Sequence, residues 1–214
     1  MFRKILLAGL VLFIGWRSIP PVKNMISPHQ MMNASFEPFH FVNTYGAFGG
    51  ITRKRFEIVL EGTDDERPGP ASIWKEYEFK CKPGDVTRAP CVVSPYHYKI
   101  DWQMWFAAMN DFCYHPWILN LVAKMLAGDR QTLGLFARNP FPEQPPKFIR
   151  AVHYLYRFTT WEERSKTGAW WIRVRMGEYL PPLSLDQPAF TQILRGVGFG
   201  IPSPQKNADT APAA

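Results

Sequence analysis

Histidine and cysteine are the residue types in this chain that could bind a metal ion. The five histidines lie at positions 29, 40, 97, 115 and 153, and Cys113 and His115 form the one close pair of potential ligands. Zinc sites in proteins need three or four ligands, so two are too few. The acidic run at residues 64–66 fits a solvated hairpin loop better than a calcium site. The sequence therefore predicts no metal site.

Catalytic signatures are also absent from the sequence. No Gly-x-Ser-x-Gly nucleophile motif occurs, and the glycine-rich residues 46–50 lack the lysine and the spacing of a phosphate-binding loop. Ser165 and Lys166 lie in a predicted polar loop, where both side chains are solvated. We therefore expect a protein without catalytic residues or a cofactor, which is not an enzyme.

Cys81 and Cys91 flank a stretch in which Pro83-Gly84 predicts a turn. A turn can bring the two sulfurs within bonding distance, and an oxidising compartment preserves such a disulfide. Cys113 would remain as a buried thiol on a helix. Asn33-Ala34-Ser35 is an N-glycosylation sequon. Together these features favour a lumenal or extracytoplasmic domain.

Residues 1–20 form a separate apolar unit. Twelve apolar residues, 5–16, at about 1.5 Å each, fall short of a hydrocarbon core of about 30 Å. Phe2 and the flanking basic residues extend the run. A cleaved signal peptide would need a small-residue cleavage site, which is missing. The pattern favours a membrane anchor, or the end of a last transmembrane helix, over a signal peptide or a buried core helix.

The net charge and its distribution indicate which classes of partner the chain could bind. The formal net charge is +7 and the pI is near 9.4, which suits an anionic partner such as a membrane surface. The basic residues are dispersed, however, and no nucleic-acid-binding module is recognisable. We therefore expect no nucleic-acid partner.

Hydrophobic periodicity predicts an α+β fold. Alternation predicts strands at 56–61, 73–81, 148–158 and 169–176, with an irregular strand at 91–98. Helical spacing predicts two or three helices between residues 101 and 138, the first capped by Asp101 and the third by Asp129. These helices would pack on an antiparallel, β-sandwich-like sheet. The predicted organisation is a connector at 21–40, a domain at 41–200 and a disordered tail at 201–214.

Several long motifs are similar to one known family. They lie at residues 42–49 (VNTYGAFG), 77–85 (YEFKCKPGD), 101–108 (DWQMWFAA), 139–141 (NPF), 168–171 (GAWW) and 178–185 (EYLPPLSL). In this order they resemble the lipase maturation factor family, over about residues 36–195. The resemblance implies the C-terminal, non-membrane domain of that family, preceded here by the end of the last membrane helix.

The resemblance also implies a function. Family members are polytopic proteins of the endoplasmic reticulum membrane that help secreted lipases fold and assemble, without catalysis of their own. Immature secreted lipases are then the expected partners. The domain would face the lumen, or the chain would lie in the inner membrane if it is bacterial.

A factor of this kind needs exposed apolar surface for an unfinished client. Trp161, in a predicted polar loop, and Trp171, on the strand face that carries Arg173 and Arg175, are the preferred exposed pair for client binding. The alternative is a membrane-tethered β-sandwich module that binds a glycan or a protein ligand.

Overall fold

The computed structural model of the chain describes residues 2–45, 54–92 and 97–203. Its internal contacts divide the chain into two compact units, Met1–Arg53 and Lys54–Ala214. The predicted tail at 201–214 lies outside the described residues from position 204 onward, so its disorder stays a prediction.

The first unit begins with helices α1 (Phe2–Arg17) and α2 (Ile19–Ile26), which are nearly continuous through Ser18. Together they form a 25-residue helix that is long and apolar enough to cross a membrane. None of the α1 residues is buried, which does not fit the core helix of a soluble domain. A membrane-crossing helix and a signal sequence both fit this length and composition.

The predicted connector at 21–40 is more ordered than its name suggests. It contains most of α2 and then folds back on it, because the Asn24 amide donates to the Met31 carbonyl and accepts from the Met31 N–H, both at 2.8 Å. A bridge joins Ser35 to Asn43. The segment therefore has defined turns held by hydrogen bonds.

The second unit is built on an antiparallel sheet, which confirms the predicted α+β class. Its four strands, in the order β2-β1-β5-β6, are β1 (Arg55–Thr63), β2 (Lys75–Glu76), β5 (Phe148–Phe158) and β6 (Trp171–Leu183). A separate two-stranded sheet pairs β3 (Glu78–Phe79) with β4 (Phe136–Arg138). The sandwich-like arrangement of the prediction is not confirmed.

Helices from the middle of the chain pack against this sheet. They are α3 (Lys99–Ala107), a short 3-10 helix (Phe112–Tyr114), α4 (Trp117–Leu126) and α5 (Arg130–Leu133). Ile118, Val122 and Met125 of α4 are fully buried in one core with Ile58 and Leu60 of β1. Asp129 caps α5 as predicted, since its carboxylate accepts from the Thr132 N–H at 2.8 Å.

Helix α3 differs from its predicted form. Asp101, predicted as its N-cap, lies inside its first turn, and the helix begins at Lys99. The helix buries Asp101, Met104 and Ala107, while its aromatic residues are only half-buried. The reason is that Asp101 binds a neighbouring loop, which fixes the rotation of the helix.

Three further predictions need correction. Residues 161–167 form helix α6 (Trp161–Thr167), not a loop. Cys113 is exposed, not buried. The strand predicted at 91–98 is not seen at 91–92 or 97–98, and residues 93–96 lie outside the described residues. Helix α7 (Pro188–Gly196), which buries Phe190 and Leu194, was not predicted.

Candidate functional site

The second unit carries a loop closed by a disulfide, which we call the disulfide loop (residues 81–91). Cys81 and Cys91 are bonded, with their Cα atoms 5.2 Å apart. Within the loop, Gly84 passes close to the small sheet: a Cβ atom at this position would lie 2.6 Å from Oε1 of Glu78. Only glycine therefore fits there without displacing Glu78.

The disulfide loop lies against β5 and β6. The Trp171 indole N–H donates to the Arg88 carbonyl at 2.9 Å, and the Trp171 backbone N–H donates to the Val86 carbonyl at 3.0 Å. The Tyr156 hydroxyl donates to the Gly84 carbonyl at 2.7 Å. Hydrogen bonds at three loop positions thus fix the loop on the sheet, as buried backbone groups require.

Three buried charged residues, Asp101, Lys82 and Glu57, hold the start of the disulfide loop. The Asp101 carboxylate accepts from the backbone N–H groups of Cys81 and Lys82, at 2.7 and 2.8 Å. The Lys82 ammonium lies 3.1 Å from the carboxylate of Glu57, a fully buried residue of β1. Because the Lys82 and Glu57 charges pair with each other, their burial is tolerated.

The exposure predicted for Trp171 is wrong. Trp171 is only 4% exposed, because the disulfide loop covers the sheet face on which it lies. Its ring stacks on Phe158 of β5, with centroids 4.2 Å apart. Arg173, on the same face, pairs with Glu76 at 2.5 Å and stacks on Tyr154. Of the two arginines that suggested a solvated face, Arg173 is therefore a partnered side chain, whereas Arg175 is exposed.

Trp161 has the predicted exposure, 83%, and is the first residue of α6. The helix is held by a capping box, in which Thr160 and Glu163 bind each other's backbone N–H. Arg157 of β5 donates to the Glu163 carboxylate from its two terminal nitrogens, Nη2 at 2.6 Å and Nη1 at 2.8 Å. The hydrogen bond from Arg157 lowers the pKa of Glu163 to about 2. Trp161 therefore projects from a helix with a well-anchored first turn.

These residues meet at one end of the β5–β6 pair, which we call the aromatic end (Phe158, Trp161, Trp170 and Trp171). Phe158 is 58% exposed and Trp161 is 83% exposed. Trp170 is half-buried beneath the guanidinium of Arg164, 3.2 Å from its ring centroid. The aromatic end thus offers two exposed rings, one of which is supported by the buried Trp171. Such a surface suits apolar recognition.

Sequence reasoning missed Phe158 as an exposed ring. Phe158 and Trp171 are paired across β5 and β6, so both rings lie on one face of the sheet. The alternation of side chains does not show which of the two rings another segment covers. The signal for α6 was present in the sequence as Thr160-x-x-Glu163, a capping-box pattern.

The remaining predicted site residues lie elsewhere. Asn33 is exposed in the first unit and has a positive φ of 52°. The exposed Cys113 thiol donates a hydrogen bond to Asp111. This hydrogen bond raises the pKa of Cys113 and so disfavours the reactive thiolate. Within residues 2–45, 54–92 and 97–203, no cluster of three or more metal-ligating side chains occurs. The glycine-rich residues 46–50 lie outside the described residues.

Comparison with known proteins identifies relatives of this chain. The family model described as "Lipase maturation factor C-terminal domain" matches residues 41–181. The chain is 52% identical to lipase maturation factor 1 of Bos taurus over 179 residues, which are 82% of this chain and 32% of that protein. It is 45% identical to lipase maturation factor 1 of Homo sapiens, over 92% of this chain and 35% of that protein.

A second group of relatives is more distant. The chain is 37% identical to lipase maturation factor 2 of Homo sapiens, over 83% of this chain and 25% of that protein. It thus spans about a third of the factor 1 relatives and about a quarter of this factor 2 relative. No solved structure matches the chain.

Proposed function

Because the chain belongs to the lipase maturation factor family, we propose that it helps secreted lipases fold and assemble into their active form. The observation that carries this proposal is the family match over residues 41–181, which includes the disulfide loop and the aromatic end. The relatives that match over most of this chain are named lipase maturation factors.

We propose that the chain acts by contact and not by catalysis. The aromatic end supplies exposed apolar area, through Trp161 and Phe158, on an anchored scaffold. An immature lipase exposes apolar surface that its native fold later buries, and exposed aromatic rings on a partner can cover that surface reversibly. Trp161 is the central contact in this proposal, and Trp171 acts only beneath it as support.

We place the domain in the lumen of the endoplasmic reticulum, attached to the membrane through residues 1–20. The Cys81–Cys91 disulfide favours an oxidising compartment, and the exposed Asn33 sequon suits glycosylation. The relatives reported above are vertebrate proteins, which favours this location over the bacterial inner membrane.

Co-precipitation of newly made lipase tests the proposal. The tagged full chain is expressed with a secreted lipase, lipase is pulse-labelled, and the lipase bound to the chain is followed through a chase. We expect capture of newly made lipase that falls as the lipase becomes active. Equal capture of newly made and active lipase would contradict a maturation role. Capture that depends on the glycans of the lipase, whatever its folding state, would favour the tethered glycan-binding module.

A further inference from the structure

Two phenylalanines in the first unit are exposed without belonging to an apolar helix. Phe39 is 75% exposed and Phe41 is 60% exposed. They lie in a turn that we call the Glu37 turn (residues 37–41). Burying a phenylalanine side chain is favourable by roughly 2–3 kcal/mol relative to leaving it in water. An apolar partner that covered the two rings would therefore be stabilised by this turn.

The Glu37 turn is well ordered by its own hydrogen bonds. The Glu37 carboxylate accepts from the Phe39 N–H at 2.7 Å and also from the Phe41 N–H. The Ser35 hydroxyl donates to the Glu37 carbonyl at 2.8 Å. The turn therefore presents its two rings while its own backbone donors are already satisfied.

The turn also contacts α1 near the C-terminal end of that helix. The Phe41 ring packs edge-on against the Phe13 ring, with centroids 5.5 Å apart. One helical turn further along α1, the Arg17 guanidinium lies 3.3 Å from the Glu37 carboxylate. The two contacts place the turn beside the C-terminal end of α1.

That end of α1 has the chemistry of a membrane boundary. Its apolar run finishes at Trp16, and Arg17 follows, with its guanidinium 5.3 Å from the Trp16 ring centroid. Tryptophan and arginine are the residues that mark the level of lipid headgroups. Burial raises the pKa of Glu37, but hydrogen bonds from the Phe39 and Phe41 N–H groups and the Arg17 charge bring it below its usual value. The carboxylate thus stays charged and paired.

From these contacts we infer that the Glu37 turn is a second membrane contact, in which Phe39 and Phe41 enter the headgroup region of the bilayer beside α1. This inference rests on the proposal that α1 lies in a membrane. The occupant is lipid, because the turn continues an apolar helix surface that no described residue buries. The Arg17–Glu37 pair allows this, since it places no unpaired charge at the lipid. The turn would fix the depth of α1 in the bilayer, which the apolar helix alone does not determine.

Depth-dependent quenching tests the inference on the full chain in phosphatidylcholine vesicles. An environment-sensitive fluorophore is attached at Phe39→Cys in a Cys113→Ser background, where Cys81 and Cys91 are bonded to each other. Quenching is compared between lipids that carry a nitroxide near the headgroup and lipids that carry it near the chain end. We expect roughly twofold stronger quenching by the shallow nitroxide, because an interfacial group lies only about 5–10 Å deep.

Two reference positions separate the possible failures. Val11→Cys, in α1, should be quenched more by the deep nitroxide, and Lys166→Cys, on the surface of α6, should be quenched by neither. If Val11→Cys behaves as expected while Phe39→Cys behaves like Lys166→Cys, the inference is overturned and the membrane anchor stands. If Val11→Cys is not quenched, the anchor proposal fails and the inference fails with it.

A further variant connects quenching to the hydrogen-bonded turn. Glu37→Ala removes the acceptor for both phenylalanine N–H groups and the partner of Arg17. We expect Glu37→Ala to reduce quenching by the shallow nitroxide at Phe39→Cys to half or less. Quenching at Val11→Cys should not change. Unchanged quenching at Phe39→Cys would overturn the inferred role of the turn.

Discussion

Replacing Trp171 and Trp161 separately by alanine should have very different effects on stability. Trp171→Ala removes a buried ring that stacks on Phe158 at 4.2 Å, and it removes the indole donor to the Arg88 carbonyl. A buried tryptophan-to-alanine change costs about 3–5 kcal/mol of unfolding free energy. Trp161→Ala removes a ring that is 83% exposed, and such surface changes stay within about 0.5 kcal/mol.

Thermal unfolding of the full chain in detergent, followed by near-ultraviolet circular dichroism, measures this difference. For a unit of this size each kcal/mol shifts the Tm by about 2–4 °C, so Trp171→Ala should lower the Tm by roughly 10 °C. Trp161→Ala should change the Tm by no more than about 2 °C.

Trp171→Phe is the matched control for the indole hydrogen bond. It keeps an aromatic ring against Phe158 and leaves the Arg88 carbonyl without its donor. The expected loss is about 1–3 kcal/mol, the cost of a buried polar group without its partner plus some lost packing. If Trp171→Ala proved as mild as Trp161→Ala, the assignment of Trp171 as a buried support would be refuted.

Three further outcomes are expected. Reduction of the Cys81–Cys91 disulfide should lower the unfolding free energy by about 2–3 kcal/mol, the entropy of closing a short loop, in a denaturant titration with and without reductant. Gly84→Ala should cost about 1–3 kcal/mol in the same titration, because its Cβ would lie 2.6 Å from Oε1 of Glu78, a carboxylate held by the Asp85 N–H and by Arg88. An unchanged midpoint would refute the close approach. The pKa of Glu163 is lowered to about 2, so its contribution to α6 is present above the unfolded pKa of about 4.3 and lost as the pH falls towards 2. Far-ultraviolet helical signal should fall over that range, and Glu163→Gln should abolish the step.

Elements with strong local patterns were predictable from the sequence. Strand β5 has the predicted bounds, 148–158, since its side chains alternate over eleven residues between turn signals. Helix α4 combines an apolar stripe with Pro116 at its start and Gly128, at a φ of +72°, just beyond its end. Asp129 was recognised as a cap for the same kind of local reason.

Features that depend on distant residues were not predictable. Trp171 is buried by a loop about eighty residues earlier in the chain, which no local pattern indicates. Asp101 has the position of a helix cap in the sequence, yet it binds the backbone N–H groups of Cys81 and Lys82. The site was therefore partly visible: the sequence supplied the cysteines and tryptophans, and only the structure placed them together.

The most direct test of the account is the capture of newly made lipase by Trp161→Ala. Lys166→Ala, on the same helix and also exposed, is the matched control. If Trp161 is the central client contact, its loss should weaken binding by roughly tenfold or more, the effect of a hot-spot residue, while Lys166→Ala binds like the unchanged chain. Undiminished capture by Trp161→Ala would contradict the central claim that the aromatic end receives immature lipases.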